Sequence, residues 1–320
     1  MEGIKLKHKK YSKADRKSFL FCYLLLLIPV AQFLLMWVYV NFNSIVLAFK
    51  EADGSLGFGN FLDVFNAFSG SDPIKGWNLG EILGRTIILW LIVNIVCTPF
   101  IMFSTYVLYK KIAFSGAFRT IFAIPSIIGI VVWSILMKQF CAANGPIIEL
   151  LTKMGVKLSE DILTNGLFGA KQTAFFMVII IDILPSIMAC NLIITGAFSR
   201  IPPDIFEAGE IDGMNFFDEF IHIGIPMAWP TIIITLVTSL ATIFTANGNV
   251  LLYTKGVNNT ATIGFYLYYS VLNIAESTSS LSGSAYSFPA ALGIILTIMT
   301  LPIVFIGRFI LEKFYGKVTY

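Results

Sequence analysis

The carboxylates Glu207, Glu210, Asp212, Asp218 and Glu219 stand close together in a chain that is otherwise short of charge. They alternate with Phe206, Ile211, Met214, Phe216, Phe217, Phe220 and Ile223 at roughly helical spacing, which gives one polar and one apolar face. A helix lying on a membrane surface is usually basic on its polar face. An acidic one is repelled by anionic lipid and suits a protein groove better. Glu207 near the edge of such a groove would meet an arginine or the free amides of a helix start, a contact of about 1.5–3 kcal/mol when charge-assisted. Asp212-Gly213 divides the run and Pro226 is expected to close its second half, so two short helices joined by a turn are predicted. Gly213 would be required there for a positive φ or for close approach to a partner surface.

A second chemically distinctive residue is Asp182, set in the apolar run from Thr173 to Phe198. A mid-span aspartate costs about 2.5–3.5 kcal/mol, and the Phe, Val, Ile and Leu residues around it offset this at about 0.3–0.6 kcal/mol each. The helix can insert, but Asp182 must face protein or a water-filled path. Ser186 and Ala189 share its helical face, whereas Asn191 points the other way. Other chemistry is missing from the sequence. No GxxxxGK[ST], GxSxG or HExxH occurs, so neither a phosphate-cradling loop nor a hydrolytic centre is encoded, and no catalytic residue is assigned. Cys22, Cys97, Cys141 and Cys190 lack CxxC spacing, and His8 and His222 are isolated, so no metal site is assigned.

The elements that carry these residues are membrane spans. The 320 residues are 57% hydrophobic and 13% charged, about half the charge of a soluble chain. The net charge of +3 is explained by membrane topology and gives no reason to expect nucleic acid. An all-α polytopic fold of about six transmembrane helices is expected, with spans near 19–40, 85–109, 120–137, 173–198, 227–246 and 288–311. The basic tail 1–18 is cytoplasmic on this reading, the apolar run after it is an uncleaved first span, and 312–320 is a second cytoplasmic tail. A short helix is expected after Gly145-Pro146. Most of the 22 Lys and Arg residues fall in the tails and in the loops near 110–119 and 200, which puts both termini and the acidic segment 199–226 inside.

The acidic segment resembles the EAA motif of permease subunits from bacterial ATP-binding-cassette importers. Glu207-Ala208-Gly209, Asp212-Gly213, Ile223 and Ile225-Pro226 fall at that motif's positions, and Ile201-Pro202-Pro203-Asp204-Ile205-Phe206 is similar to its lead-in. Gly209 for alanine and Ile225 for leucine are the departures. Phe118-Arg119-Thr120-Ile121-Phe122-Ala123-Ile124-Pro125, Trp133 and Tyr253-Thr254-Lys255-Gly256 with Tyr266 and Tyr268 resemble the carbohydrate-uptake branch, with Val257 in place of its second glycine. The likeness covers roughly residues 85–311 and implies the type I importer permease fold.

It also implies a division of labour. Phe206, Glu207, Ala208, Gly209, Asp212, Gly213, Met214 and Phe217 would receive the motion of a cytoplasmic ATPase dimer, whose own subunits would bind ATP and magnesium. This chain would bind no cofactor and would not be an enzyme. It would pair with a second related permease in the lipid of a bacterial cell membrane and meet an extracytoplasmic sugar-binding protein. A sugar, probed by hydrogen bonds and aromatic faces, would pass Asp182, Ser186, Ala189, Asn247, Asn249 and Trp133. The alternative is a single-chain secondary transporter that uses Asp182 for ion coupling. It leaves Glu207 to Pro226 without a purpose.

Overall fold

The structure, a computed structural model, describes residues 13–51, 53–70, 77–110, 115–245, 249–277 and 286–314. The tail before residue 13, Asn247 and the side chain of Ala189 lie outside the described residues. Within them the regular structure is helical, apart from an isolated bridge between Lys50 and Leu56.

α1 (Lys13–Gln32), a π-helical stretch (Phe33–Tyr39) and α2 (Val40–Ala48) form the first rod, and α3 (Gly59–Ser69) is short. α4 (Leu79–Tyr109) is followed by α5 (Ser115–Ile127), α6 (Ile130–Phe140), α7 (Pro146–Lys153) and α8 (Glu160–Gly169). α9 (Ala174–Phe198) leads into α10 (Pro203–Ile211) and then α11 (Phe216–Glu219), a π-helical turn (Phe220–Gly224) and α12 (Ile225–Ala241). α13 (Val250–Tyr253), α14 (Ile263–Ser277) and α15 (Ser287–Phe314) complete the described chain.

Among the described residues, Phe21–Ala48, Leu79–Tyr109, Phe216–Ala241 and Ser287–Lys313 are long and apolar enough to cross a membrane. The pair Glu160–Gly169 and Ala174–Ile187, bent by 40°, adds a fifth if taken as one span. Several boundaries differ from those expected. The second span starts at Leu79 rather than Arg85, because the Asn78 side chain accepts hydrogen bonds from the Gly80 and Glu81 amides and Arg85 pairs back to Glu81 at 2.7 Å. The third is not one helix. It breaks between Ile127 and Ile130, where Gly129, a poor helix former, takes ψ 140°. Pro226 does not close the acidic segment, for α11 runs through the π turn into α12, and that wider turn sits where the proline lacks a donor and would crowd the preceding carbonyl. Pro146 opens α7 as the Gly145-Pro146 pair predicted.

α4 and α9 make the most extensive helix contact, and α12, α15, α2 and α3 gather around them. Their apolar residues fall into two clusters. One includes Ala48, Leu79, Leu89, Val178, Tyr253, Phe265 and Leu292. The other, at the end where α10 and α11 sit, is built on Ile101, Tyr106, Ile194, Phe198, Phe206, Ile223 and Ile232.

Candidate functional site

The turn between α10 and α11 closes by its own backbone. Gly213 N–H donates to the Glu210 carbonyl at 3.1 Å and Met214 N–H to that of Gly209 at 3.0 Å, the paired bonds of a Schellman ending. Gly213 has φ +80° with open space where a Cβ would be, so positive φ, not close approach, is its reason for being glycine. Gly209 is the reverse case. It is buried, and a Cβ there would come within 2.9 Å of Ile223 Cδ1 and 3.3 Å of Met214 Sδ. A capping box then starts α11, with the Asn215 and Asp218 side chains each taking the other's backbone amide.

The faces of this element correct the sequence reading in one respect. Phe206 is buried in its own chain against Tyr106 and Tyr109, and Gly209 and Met214 also face inward. Phe206 and Met214 therefore cannot be the apolar residues that enter a partner's groove, because they already hold α10 to the bundle. Ile211 (86% exposed) and Phe217 (62%) are left for that task, beside exposed Glu207, Ala208 and Asp212.

Beneath the exposed face lies a cluster of charges that spacing along the chain conceals. Glu219 is 2% exposed, its Oε2 accepts from the Tyr106 hydroxyl at 2.6 Å, its Oε1 accepts from Lys110 Nζ at 3.0 Å, and the ion pair closes to 2.7 Å. Lys110 Nζ also donates to Glu210 Oε1 at 3.0 Å and sits 5.3 Å from the centre of the Phe206 ring. Helix ends favour these signs, since Lys110 caps the C-terminus of α4 and Glu219 lies in the first turn of α11. Burial alone would lower the Lys110 pKa, but the hydrogen bonds to Glu219 and Glu210 prevail and raise it above its ordinary 10.5. The Tyr106 ring is surrounded by Phe198, Phe206, Phe216 and Phe220 with centroids 4.9–6.2 Å away.

The path candidates divide. Asp182 is 6% exposed, and its Oδ1 accepts from Asn249 Nδ2 at 2.8 Å, so two of the candidates meet. Asn249 reaches it from a left-handed backbone position (φ 51°) just ahead of α13. Trp133 is half-buried on α6, which packs against α13 just beyond Asn249, and Ser186 donates to the Asp182 carbonyl at 2.7 Å within α9. Ser186 does line a cavity of about 250 Å³ between α4, α9 and α12, whose other polar residues are Asn94, Thr98, Thr235 and Ser239. There the Ser239 hydroxyl accepts from Trp90 Nε1 at 2.9 Å and donates to Asn94 Oδ1 at 2.9 Å. Asn94 and Trp90 were missed by sequence reading. The signal available was the single amide side chain in the apolar stretch of the second span.

No protein-family model matches the chain. It is 28% identical over 261 residues to the lactose transport system permease protein LacF of Rhizobium radiobacter, covering 78% of this chain and 82% of that one. It is 25% identical over 287 residues to the probable ABC transporter permease protein YurN of Bacillus subtilis (strain 168), covering 87% and 91%. The crystal structure of a bacterial ABC transporter involved in the import of the acidic polysaccharide alginate superposes with a TM-score of 0.76 at 21% identity, over 94% of this chain and 98% of that one. A second crystal structure, of the alginate transporter in complex with an alginate pentasaccharide-bound periplasmic protein, gives 0.73 at 20% identity, over 92% and 94%. The fold is therefore that of the membrane-embedded subunits of ATP-binding-cassette importers. By sequence the chain is similar to permeases of that class, and its long apolar helices are those of an integral membrane protein.

Proposed function

We propose that the chain is one permease subunit of an ATP-driven sugar importer, carrying an oligosaccharide, and that α10 and α11 receive the motion of cytoplasmic ATPase subunits. The single observation that carries the coupling assignment is the α10–α11 element. It is a helix pair whose turn is closed by a positive-φ glycine, with Glu207, Ala208, Ile211 and Phe217 exposed and Phe206 and Gly209 buried against the bundle. An exposed apolar pair rimmed by carboxylates fits a groove lined with arginine or helix-start amides.

The sugar assignment rests on the relative named for lactose transport, on the alginate importer structures, and on the cavity between α4, α9 and α12. Its hydroxyls and amide suit a polyhydroxylated solute, and a volume just under the usual 300–1,000 Å³ of a ligand site suits half of a path completed by a second permease. Both termini lie in the cytoplasm on this proposal, the α7–α8 region faces an external sugar-binding protein, and ATP with magnesium is bound by the partner subunits. Asp182 needs no ion-coupling role, as Asn249 already satisfies one of its oxygens.

The test is the complete transporter, with second permease, ATPase subunits and binding protein, in proteoliposomes. Glu207→Lys should reduce hydrolysis stimulated by the sugar-loaded binding protein to the basal rate, a loss of at least tenfold in stimulation, while the chain still inserts. Wild-type stimulation in that variant would refute the coupling assignment. A panel of labelled mono- and oligosaccharides offered to the wild type should show ATP-dependent uptake of at least one oligosaccharide.

A further inference from the structure

Three helices join the cavity to the coupling element, and α9, which supplies Ser186 and Ile194, runs directly into α10. α12 supplies Ile232, Thr235, Leu236 and Ser239 to the cavity and is continuous with α11 through the π turn. α4 supplies Val93, Asn94, Cys97, Thr98 and Ile101, but it is separated from α11 by about a hundred residues of chain and must be attached through space. Besides its long packing on α9 and the Tyr106 and Tyr109 contacts to Phe206 of α10, two kinds of contact attach it to α11. The Tyr106 and Phe103 rings pack on Phe216, Phe217 and Phe220, and such contacts are non-directional and let surfaces slide. The bonds from Tyr106 and Lys110 to Glu219 are short, charge-assisted and directional, and they are shielded from water because Glu219 is buried. Lys110 also holds Glu210 on α10, so one ammonium group binds the end of α4 to both limbs of the coupling element.

We propose that Glu219, held by Lys110 and Tyr106, is a positioning residue that makes α4 and the coupling element move as one body, so that ATPase motion reaches both α4 and α12 walls of the cavity. This rests on the coupling role proposed above for α10 and α11. Without the joint, α9 and α12 still follow α10 and α11 along the backbone while α4 is carried only by apolar packing, and the cavity walls no longer move in register. Hydrolysis then continues and the solute is not moved.

The readout is the number of solute molecules imported per ATP hydrolysed by the complete transporter in proteoliposomes. Glu219→Gln, which keeps an acceptor for Tyr106 but loses the charge, and Lys110→Met should each lower that ratio at least fivefold while stimulated hydrolysis stays within twofold of wild type. Lys110→Arg should restore most of it. Bridging Phe103→Cys to Phe220→Cys with a short thiol cross-linker, at rings whose centres lie 5.8 Å apart, should rescue Glu219→Gln, because a covalent tie replaces the ionic one. An unchanged ratio in both single variants, or a parallel fall in hydrolysis and uptake, would overturn the proposal. If Glu219→Gln fails to assemble, the same cross-link in the otherwise unchanged chain decides. A preserved ratio supports movement as one body, and its collapse means that α4 and α11 must separate during the cycle. Failure of the coupling assignment itself is read independently, from Glu207→Lys.

Discussion

At Asp182 the carboxylate is buried in a membrane helix and answered by one amide, that of Asn249. Asn at 182 can still accept from Asn249, whereas Leu leaves that amide unsatisfied in an apolar setting, at a cost of about 1–3 kcal/mol. Asp182→Leu should therefore melt at a lower temperature than Asp182→Asn when the purified complex is followed by a tryptophan-fluorescence thermal ramp. The same order is expected in uptake, since the bond also fixes where the chain re-enters the fold ahead of α13. Equal melting of the two variants would mean that the Asn249 bond contributes nothing. Residue types made this position legible, because a charge amid isoleucines demands an explanation. They did not give the partner, which lies far along the chain in a left-handed backbone conformation that asparagine adopts more readily than most residues.

The α10 turn shows how far an element can be read. Asp212-Gly213 announced a helix ending, and the structure has that ending, with a left-handed glycine and both reverse hydrogen bonds. Two glycines four residues apart nevertheless do opposite things, which a pattern of residue types cannot distinguish. Gly213→Ala should destabilise by about 1–2 kcal/mol because its backbone is left-handed. Gly209→Ala meets only the tips of Ile223 and Met214, which can move, so it should be nearly neutral, while Gly209→Val should be worse than either. Denaturation midpoints of the three variants check this, and a costly Gly209→Ala would show that Ile223 is fixed. What stayed illegible were the breaks and continuities of helices. Gly129 interrupts a span that hydropathy reads as whole, and Pro226 fails to interrupt one that proline rules would end, because a π turn precedes it. The Lys110–Glu219 joint was equally hidden, as its members are separated by the whole of α5 to α10.

For the whole molecule, the distribution of Lys and Arg predicts that α7–α8 and α10–α11 lie on opposite sides of the membrane. With the native cysteines replaced, Lys157→Cys should react with a membrane-impermeant maleimide in intact cells, and Glu207→Cys only after permeabilisation; both positions are exposed. The opposite pattern would invert the topology. The π turn at 220–224 has an effect on this larger scale too. It holds one residue more than an α-turn would, and each residue of an α-helix advances the facing direction by about 100°. The turn thus sets the angular phase between Glu219 below it and Thr235 and Ser239 above it. Losing a single residue there would leave a more regular helix whose two ends look in different directions. Along this stretch, length tolerance should be far narrower than tolerance of side-chain identity, the inverse of what is usual for a helix facing lipid.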